Sequence, residues 1–289
     1  MAILERSYKD GGILIFILLR MILVNTGLYG QYFERTGGYR GERSISPESG
    51  IKSPVTIVVL YDNYVSEQGT TADWGFSVLI EGLEKCILFD TGTKPEILGK
   101  NIHETGIDPS RIDMLILSHE HQDHTGGITS LTKLKTGIPV LFPEAFSESF
   151  PKNMNELGLE PVYVGGSSVI CQNLYTSGQF DHDIPEEALV LDTKSGLVVI
   201  TGCAHPGIIM MLTRIKNDFG KNIYMVCGGF HLLNKTDEEM KKIISAMKQL
   251  GIVKCGATHC TGEKQIKMFR EAFGKNYLEL GTGNRITIN

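Results

Sequence analysis

The chain has 289 residues and 42% hydrophobic content, enough for a sizeable core in one large or two small domains. Its net charge of −5 and the absence of any basic stripe or arginine-rich run exclude the electrostatic footprint of a nucleic-acid-binding protein. Six cysteines (Cys86, Cys171, Cys203, Cys227, Cys255 and Cys260) form no CxxC pair, which excludes a disulfide scaffold and a cysteine-rich structural zinc site.

Residues 1–53 differ from the rest. An apolar run over residues 11–19 resumes at 21–24 after Arg20, which reads as a signal peptide or as a poorly formed anchor. A spanning helix needs about 20 apolar residues, and an arginine near its centre costs on the order of 3 kcal/mol, so no stable membrane span is expected. Two readings stay open: residues 11–30 are a signal and the protein is exported or periplasmic, or the start is overlong and the protein is cytoplasmic. Residues 31–53, rich in Gly, Ser, Arg and Glu, read as a flexible lead-in to one domain over residues 54–289.

From Val55 onward the pattern becomes regular. Short β-rich runs at 55–61, 76–80 and 86–89 suit a meander, and a helix is predicted over 95–104 with Gly106 as its stop. A strand-like run follows at 112–117, then a helix over 127–134 and strands at 140–142, near Val162, and at 168–175, 188–192 and 197–201. The last third alternates helices (208–219, 237–250) with apolar strands (223–227, 252–257). An α/β (α+β) chain of mixed sheets covered by helices is the expectation.

The segment after the run at 112–117 carries the chemistry. His119, His121, Asp123 and His124 place three imidazoles and a carboxylate within six residues, a donor set suited to zinc and similar divalent ions. In an extended segment His119 and His121 lie on one side, while the adjacent Asp123 and His124 diverge, so one loop can serve two metals. A helical HExxH site is excluded, because Asp123 stands four residues after His119. Three further histidines sit where an apolar strand ends in a turn: His205 after Thr201-Gly202-Cys203, His231 after Cys227-Gly228-Gly229, and His259 after residues 252–257. His103, in a predicted helix with no partner motif, reads as a surface residue.

A strand ending Leu88-Phe89-Asp90-Thr91-Gly92, then HxHxDH followed by Thr125-Gly126-Gly127, resembles the metallo-beta-lactamase superfamily. With the late motifs TGCAHPGI, GGFHL and THCTG, the chain is similar to the branch containing the dihydropterin-ribofuranosylaminobenzene 5'-phosphate synthase, over about residues 55–289. The resemblance implies an αββα sandwich of two mixed sheets flanked by helices, and two divalent ions, zinc first, with iron or manganese as alternatives. It implies His119, His121 and His205 at one ion, Asp123, His124 and His259 at the other, and Asp90 as a support behind the metal loop.

Two departures stand out. Where most members carry a bridging Asp, this strand delivers Cys203, either a thiolate ligand or a residue lining the site. The histidine-bearing loop usual before that strand is not obvious, which leaves His182 as a competitor of His205. Hydrolysis of a small ester, lactone or phosphate-containing metabolite is the default reaction, with Asp123 orienting water and His231 contacting a phosphate or oxyanion. A pterin-linked transferase is the alternative, and a non-enzymatic metal sensor a third reading. The expected partner is a small-molecule substrate.

Overall fold

The computed structural model describes residues 54–132 and 136–289. The signal and lead-in readings of residues 1–53 lie outside them. In chain order the strands are β1 Val55–Tyr61, β2 Ser77–Glu81, β3 Ile87–Phe89, β4 Met114–Ile116, β5 Pro139–Pro143, β6 Glu160–Val164, β7 Gly166–Cys171, β8 Leu174–Gly178, β9 Ala188–Thr193, β10 Gly196–Thr201, β11 Ile223–Gly229, β12 Lys254–Thr258 and β13 Arg285–Ile288.

They form two mixed sheets, with orders β13-β1-β2-β3-β4-β5-β6 and β12-β11-β10-β9-β8-β7. In the first sheet β3 to β6 run parallel and the others antiparallel. In the second, β10, β11 and β12 are parallel and β7 to β10 antiparallel. Parallel neighbours need crossovers: the helices Pro95–Glu104, Phe150–Glu156, Ile208–Phe219 and Asp237–Gln249 lie in four of the five, and the short helical turns Gln122–Thr125 and Thr129–Thr132 lie in the fifth, between β4 and β5.

The layering follows from which faces are apolar. Ile57, Val78, Phe89 and Ile116 of the first sheet meet Leu189, Leu191, Val198 and Ile200 of the second in one core. The opposite face of the first sheet, with Leu60, Leu88, Leu115 and Phe142, packs on Leu98, Ile102, Leu131 and Met154 from its helices. Val190, Val199 and Val226 on the outer face of the second meet Leu212, Ile215, Met240, Met247 and Phe269. The result is helix, sheet, sheet, helix. Because both faces of each sheet are covered, the central strands read as continuous apolar runs rather than alternating ones.

Several elements differ from the sequence reading. The strand expected over 168–175 is a hairpin, β7 and β8, turning at Gln172-Asn173, where Asn173 takes φ +67°. The helix expected over 127–134 is described only as Thr129–Thr132, and a separate helical turn, Gln122–Thr125, precedes it. The helices Phe150–Glu156 and Glu263–Phe273 and the edge strand β13 had no expectation. Pro95 opens its helix at the first turn and Gly106 follows its C-cap, as read. Thr236 and Glu239 close a capping box on Asp237–Gln249. Among the described residues no helix is long and apolar enough to cross a membrane.

Phe269 anchors the outer helical layer, fully buried and edge-on to Phe230 at 5.5 Å between ring centroids. Phe269→Ala should lower stability by about 3–5 kcal/mol in a denaturant titration. A loss below about 1 kcal/mol would mean that this layer is not part of the cooperative core.

Candidate metal centre

In both sheets the parallel strands end at the same rim, and every candidate donor stands just past such an end. Asp90 follows β3, the loop His119 to His124 follows β4, Cys203 and His205 follow β10, His231 follows β11, and His259 and Cys260 follow β12. Carboxyl ends of parallel strands are where such sheets bind ligands. Four of these residues or their neighbours take left-handed backbone: Asp90 (φ +56°), Ala204 (+60°), His231 (+50°) and His259 (+51°). Such a conformation costs a non-glycine residue about 1 kcal/mol or more. The surrounding hydrogen bonds hold it.

Asp90 organises the first loop. Its Oδ1 accepts the Ser118 backbone N–H and its Oδ2 the Ser118 hydroxyl, each at 2.7 Å. The His124 Nδ1–H also donates to Oδ2, at 2.7 Å. This bond turns His124 Nε2 inward, to 3.2 Å from the Cys203 thiol. Since the Ser118 proton is committed to Asp90, the His119 Nδ1–H donates to the Ser118 oxygen at 2.9 Å and leaves the lone pair on Nε2, which lies 3.2 Å from His121 Nδ1. The loop lies close against the exit of β3. A Cβ on Gly126 would stand 2.1 Å from the Thr93 carbonyl oxygen, and one on Gly127 would stand 2.0 Å from that of Thr91. Only glycine fits at either position.

Glu186 organises the second loop. Its fully buried carboxylate accepts the backbone N–H groups of Cys203, Ala204 and His205, each at 2.8 Å. The neighbouring Glu187 is also fully buried and accepts the Thr176 hydroxyl. Sequence reasoning missed both. Two adjacent glutamates opening the apolar strand β9 were the available signal. Trp74, half exposed, was missed as well: its indole N–H donates to Asp123 Oδ2 at 2.8 Å, and its ring lies 5.2 Å from that of His259.

The donors converge. Ligand atoms of His119, His121 and His205 lie within 4.8 Å of one another, and so do those of Asp123, His124 and His259. Further groups combine Cys203 with His119 and His124, with His259 and Cys260, and with His205 and His231. Cys260 was not singled out in the sequence. His103 and His182 are exposed and belong to none of these groups.

Crowding shapes the charge states. Burial, with the rings of His124 and His205, holds His119 well below the usual imidazole range. Burial and the His231 and His121 rings push His205 down to about 3. His124 shifts the other way: burial opposes its charge, but the Asp90 carboxylate carries it to about 9. Burial also opposes ionisation of Asp123, yet His259 and His124 hold its carboxyl well below the ordinary value. The exposed His231 is raised, chiefly by its hydrogen bond with Cys260.

The donor set fits divalent metal. Nε2 of His205 and of His259 are buried with no hydrogen-bond partner among the described residues. His259 Nε2 lies 3.3 Å from Asp123 Oδ2 but is not aligned for a hydrogen bond. Buried ring nitrogens are seldom left unsatisfied, and a cation answers both.

Fold and site together define an αββα protein with a histidine-rich centre on the rim of its sandwich. Residues 71–213 match the metallo-beta-lactamase superfamily. The chain is 33% identical over 261 residues, covering 73% of its own length and 89% of the relative, to the 7,8-dihydropterin-6-methyl-4-(beta-D-ribofuranosyl)-aminobenzene-5'-phosphate synthase of Methanocaldococcus jannaschii. Among solved structures it is similar to Tm1679, a metal-dependent hydrolase of the beta-lactamase superfamily, with TM-score 0.69 and 29% identity over 81% of this chain and 99% of that one. The metallo-beta-lactamase fold protein YhfI from Bacillus subtilis shares the fold, with TM-score 0.60 and 16% identity over 81% of this chain and 99% of that one. The chain belongs to the metallo-beta-lactamase superfamily, whose members usually bind divalent metals.

Burial lifts the Glu187 carboxyl from 4.5 to about 8, so the folded protein keeps a proton that the unfolded chain releases between those values. Stability from this group is complete below about 4.5 and is lost as pH rises towards about 8. Glu187→Gln, which cannot titrate, should therefore gain stability relative to wild type as pH rises through that window, read from urea titrations at several pH values. An unchanging difference would mean that Glu187 is ionised in the fold.

Proposed function

We propose that the chain is a metal-dependent hydrolase of a small ester, lactone or phosphate-containing metabolite. In this reading His119, His121 and His205 hold one divalent ion, zinc first, and Asp123, His124 and His259 hold a second. The observation that supports it most is the pair of orphaned, buried ring nitrogens, one in each donor group, His205 in the first and His259 in the second. Bound ions would supply Lewis acidity towards an ester or phosphoryl oxygen and bring a water's pKa towards neutrality.

The protein's own groups do the rest. Asp123 is the anionic member of the two histidine groups and only partly buried, so it can orient a water and accept its proton. Trp74 fixes the plane of that carboxylate through its indole N–H. His231, exposed and biased towards its charged form, is placed beside His205 at 4.2 Å between ring centroids to meet a phosphate or a developing oxyanion. His119 and His205, biased towards neutrality by burial, keep lone pairs for the ions rather than protons.

A pterin-linked transferase is the second reading, supported by the 33% identity to the synthase and by Trp74. A half-exposed indole beside Asp123 is a stacking surface for a planar heterocycle. The two readings differ in the acceptor. Offered a dihydropterin with a diphosphate leaving group on its 6-methyl carbon, a hydrolase releases diphosphate without an amine. A transferase requires the aminobenzene acceptor and forms a carbon–nitrogen bond.

His205→Ala should lose about one metal ion per chain by elemental analysis, and His182→Ala should keep both. The reverse pattern would move the first site to His182. Asp123→Asn should lower turnover of aryl esters, lactones or phosphodiesters by about 100-fold or more. Undiminished turnover in metal-depleted protein would refute the metal-dependent reading.

A further inference from the structure

The ring of His259 is held from behind by a residue far from it in the chain. Asn63 stands two residues past the end of β1, 196 residues before His259, and is half-buried. Its amide NH2 group donates to the His259 backbone carbonyl at 3.1 Å. Its Oδ1 lies 3.0 Å from His259 Nδ1 and accepts the Gly75 backbone N–H at 3.2 Å.

These contacts leave the amide one orientation. The His259 carbonyl only accepts and the Gly75 N–H only donates, so the amide nitrogen must face the first and the amide oxygen the second. An oxygen beside His259 Nδ1 requires the ring proton on Nδ1, which leaves the lone pair on Nε2. That Nε2 is the buried nitrogen with no hydrogen-bond partner among the described residues, 3.3 Å from Asp123 Oδ2.

The same amide secures the backbone around the ring. His259 takes φ +51°, and its own carbonyl is the group tied to Asn63. The preceding residue, Asp62, is fully buried and holds both partners: its Oδ1 accepts the Asn63 N–H at 2.6 Å and its Oδ2 the Thr258 hydroxyl at 2.5 Å. Through Gly75 the amide also ties down the turn that carries Trp74.

We propose that Asn63 is a positioning residue for the Asp123–His124–His259 position, fixing both the Nδ1–H tautomer of His259 and the aim of its Nε2. The effect on metal binding rests on the dinuclear reading above, whereas the tautomer does not. A ring whose lone pair already faces the centre loses no orientational freedom when it becomes a ligand, so removal of the amide should weaken that position alone.

The test uses the full chain with nitrogen-15 in its histidines, titrated with zinc against a competing chelator and read by NMR on the same samples. The His259 signals are those missing from His259→Ala. In wild type the ring proton should sit on Nδ1. Asn63→Leu, of similar size but without an acceptor, should shift part of the population to the Nε2–H tautomer and bind the second zinc ion about 10- to 100-fold more weakly, with the first unchanged. Asn63→Asp keeps the acceptor and should return the proton to Nδ1 and recover most of that affinity, a rescue that a packing role alone would not give. Equally tight binding of two zinc ions by wild type and Asn63→Leu would overturn the proposal and leave the dinuclear reading standing. A single zinc ion per wild-type chain, with the proton on Nδ1, would overturn the dinuclear reading and leave the positioning role standing. If Asn63→Leu fails to fold, wild type decides alone: a proton on Nε2 of His259 overturns the proposal.

Discussion

A knot of imidazoles with their lone pairs turned inward repels itself unless something fixes each ring from behind, and two buried carboxylates do so here. Asp90 takes a ring N–H of His124 together with the backbone and hydroxyl of Ser118. Glu186 takes three successive amides of the Cys203 loop. Neither has a lysine or arginine partner among the described ion pairs. Asp90 is ion-paired with the His124 ring and Glu186 is met by backbone N–H donors, and the fixed direction of these bonds sets the aim of the side chains they hold. Asp90 works in the first sheet and Glu186 in the second, so the two halves of the centre are braced separately.

The sandwich brings these halves together. The rim of the second sheet closes on the loop that carries His119 to His124 so tightly that a Cβ on Gly202 would lie 2.1 Å from the Ser118 hydroxyl oxygen. Strained backbone gathers at the same rim, at Asp90, Ala204, His231 and His259. Each of these residues lies just past a strand end, beside or among the side chains that converge on the shared centre. The apolar cores on both faces of both sheets supply the stability against which this local strain is held.

What was legible in the sequence was what is local. HxHxDH is contiguous, and an apolar run ending in glycine and histidine announces a strand end without any knowledge of its neighbours. The αββα class followed from the family resemblance and from the order of the runs. Contacts between distant segments stayed hidden: Cys203 and Cys260 are 57 residues apart, Trp74 and Asp123 are 49 apart, and Glu186 reaches amides 17 to 19 residues downstream. The same closure leaves His182 exposed and brings His205 beside His119. Some local signals went unread. Asn173 marked a hairpin tip, and Ile266, Phe269 and Phe273 carried the spacing of a helix behind a polar start.

The central claim is that two donor groups on one rim hold two ions side by side. Anomalous diffraction at the zinc edge, from crystals of the zinc-loaded protein, tests it most directly. Two peaks are expected, one at about 2.0–2.3 Å from donor atoms of His119, His121 and His205 and one at like distance from Asp123, His124 and His259. A single peak, or zinc bound elsewhere while these rings keep their lone pairs free, would contradict it.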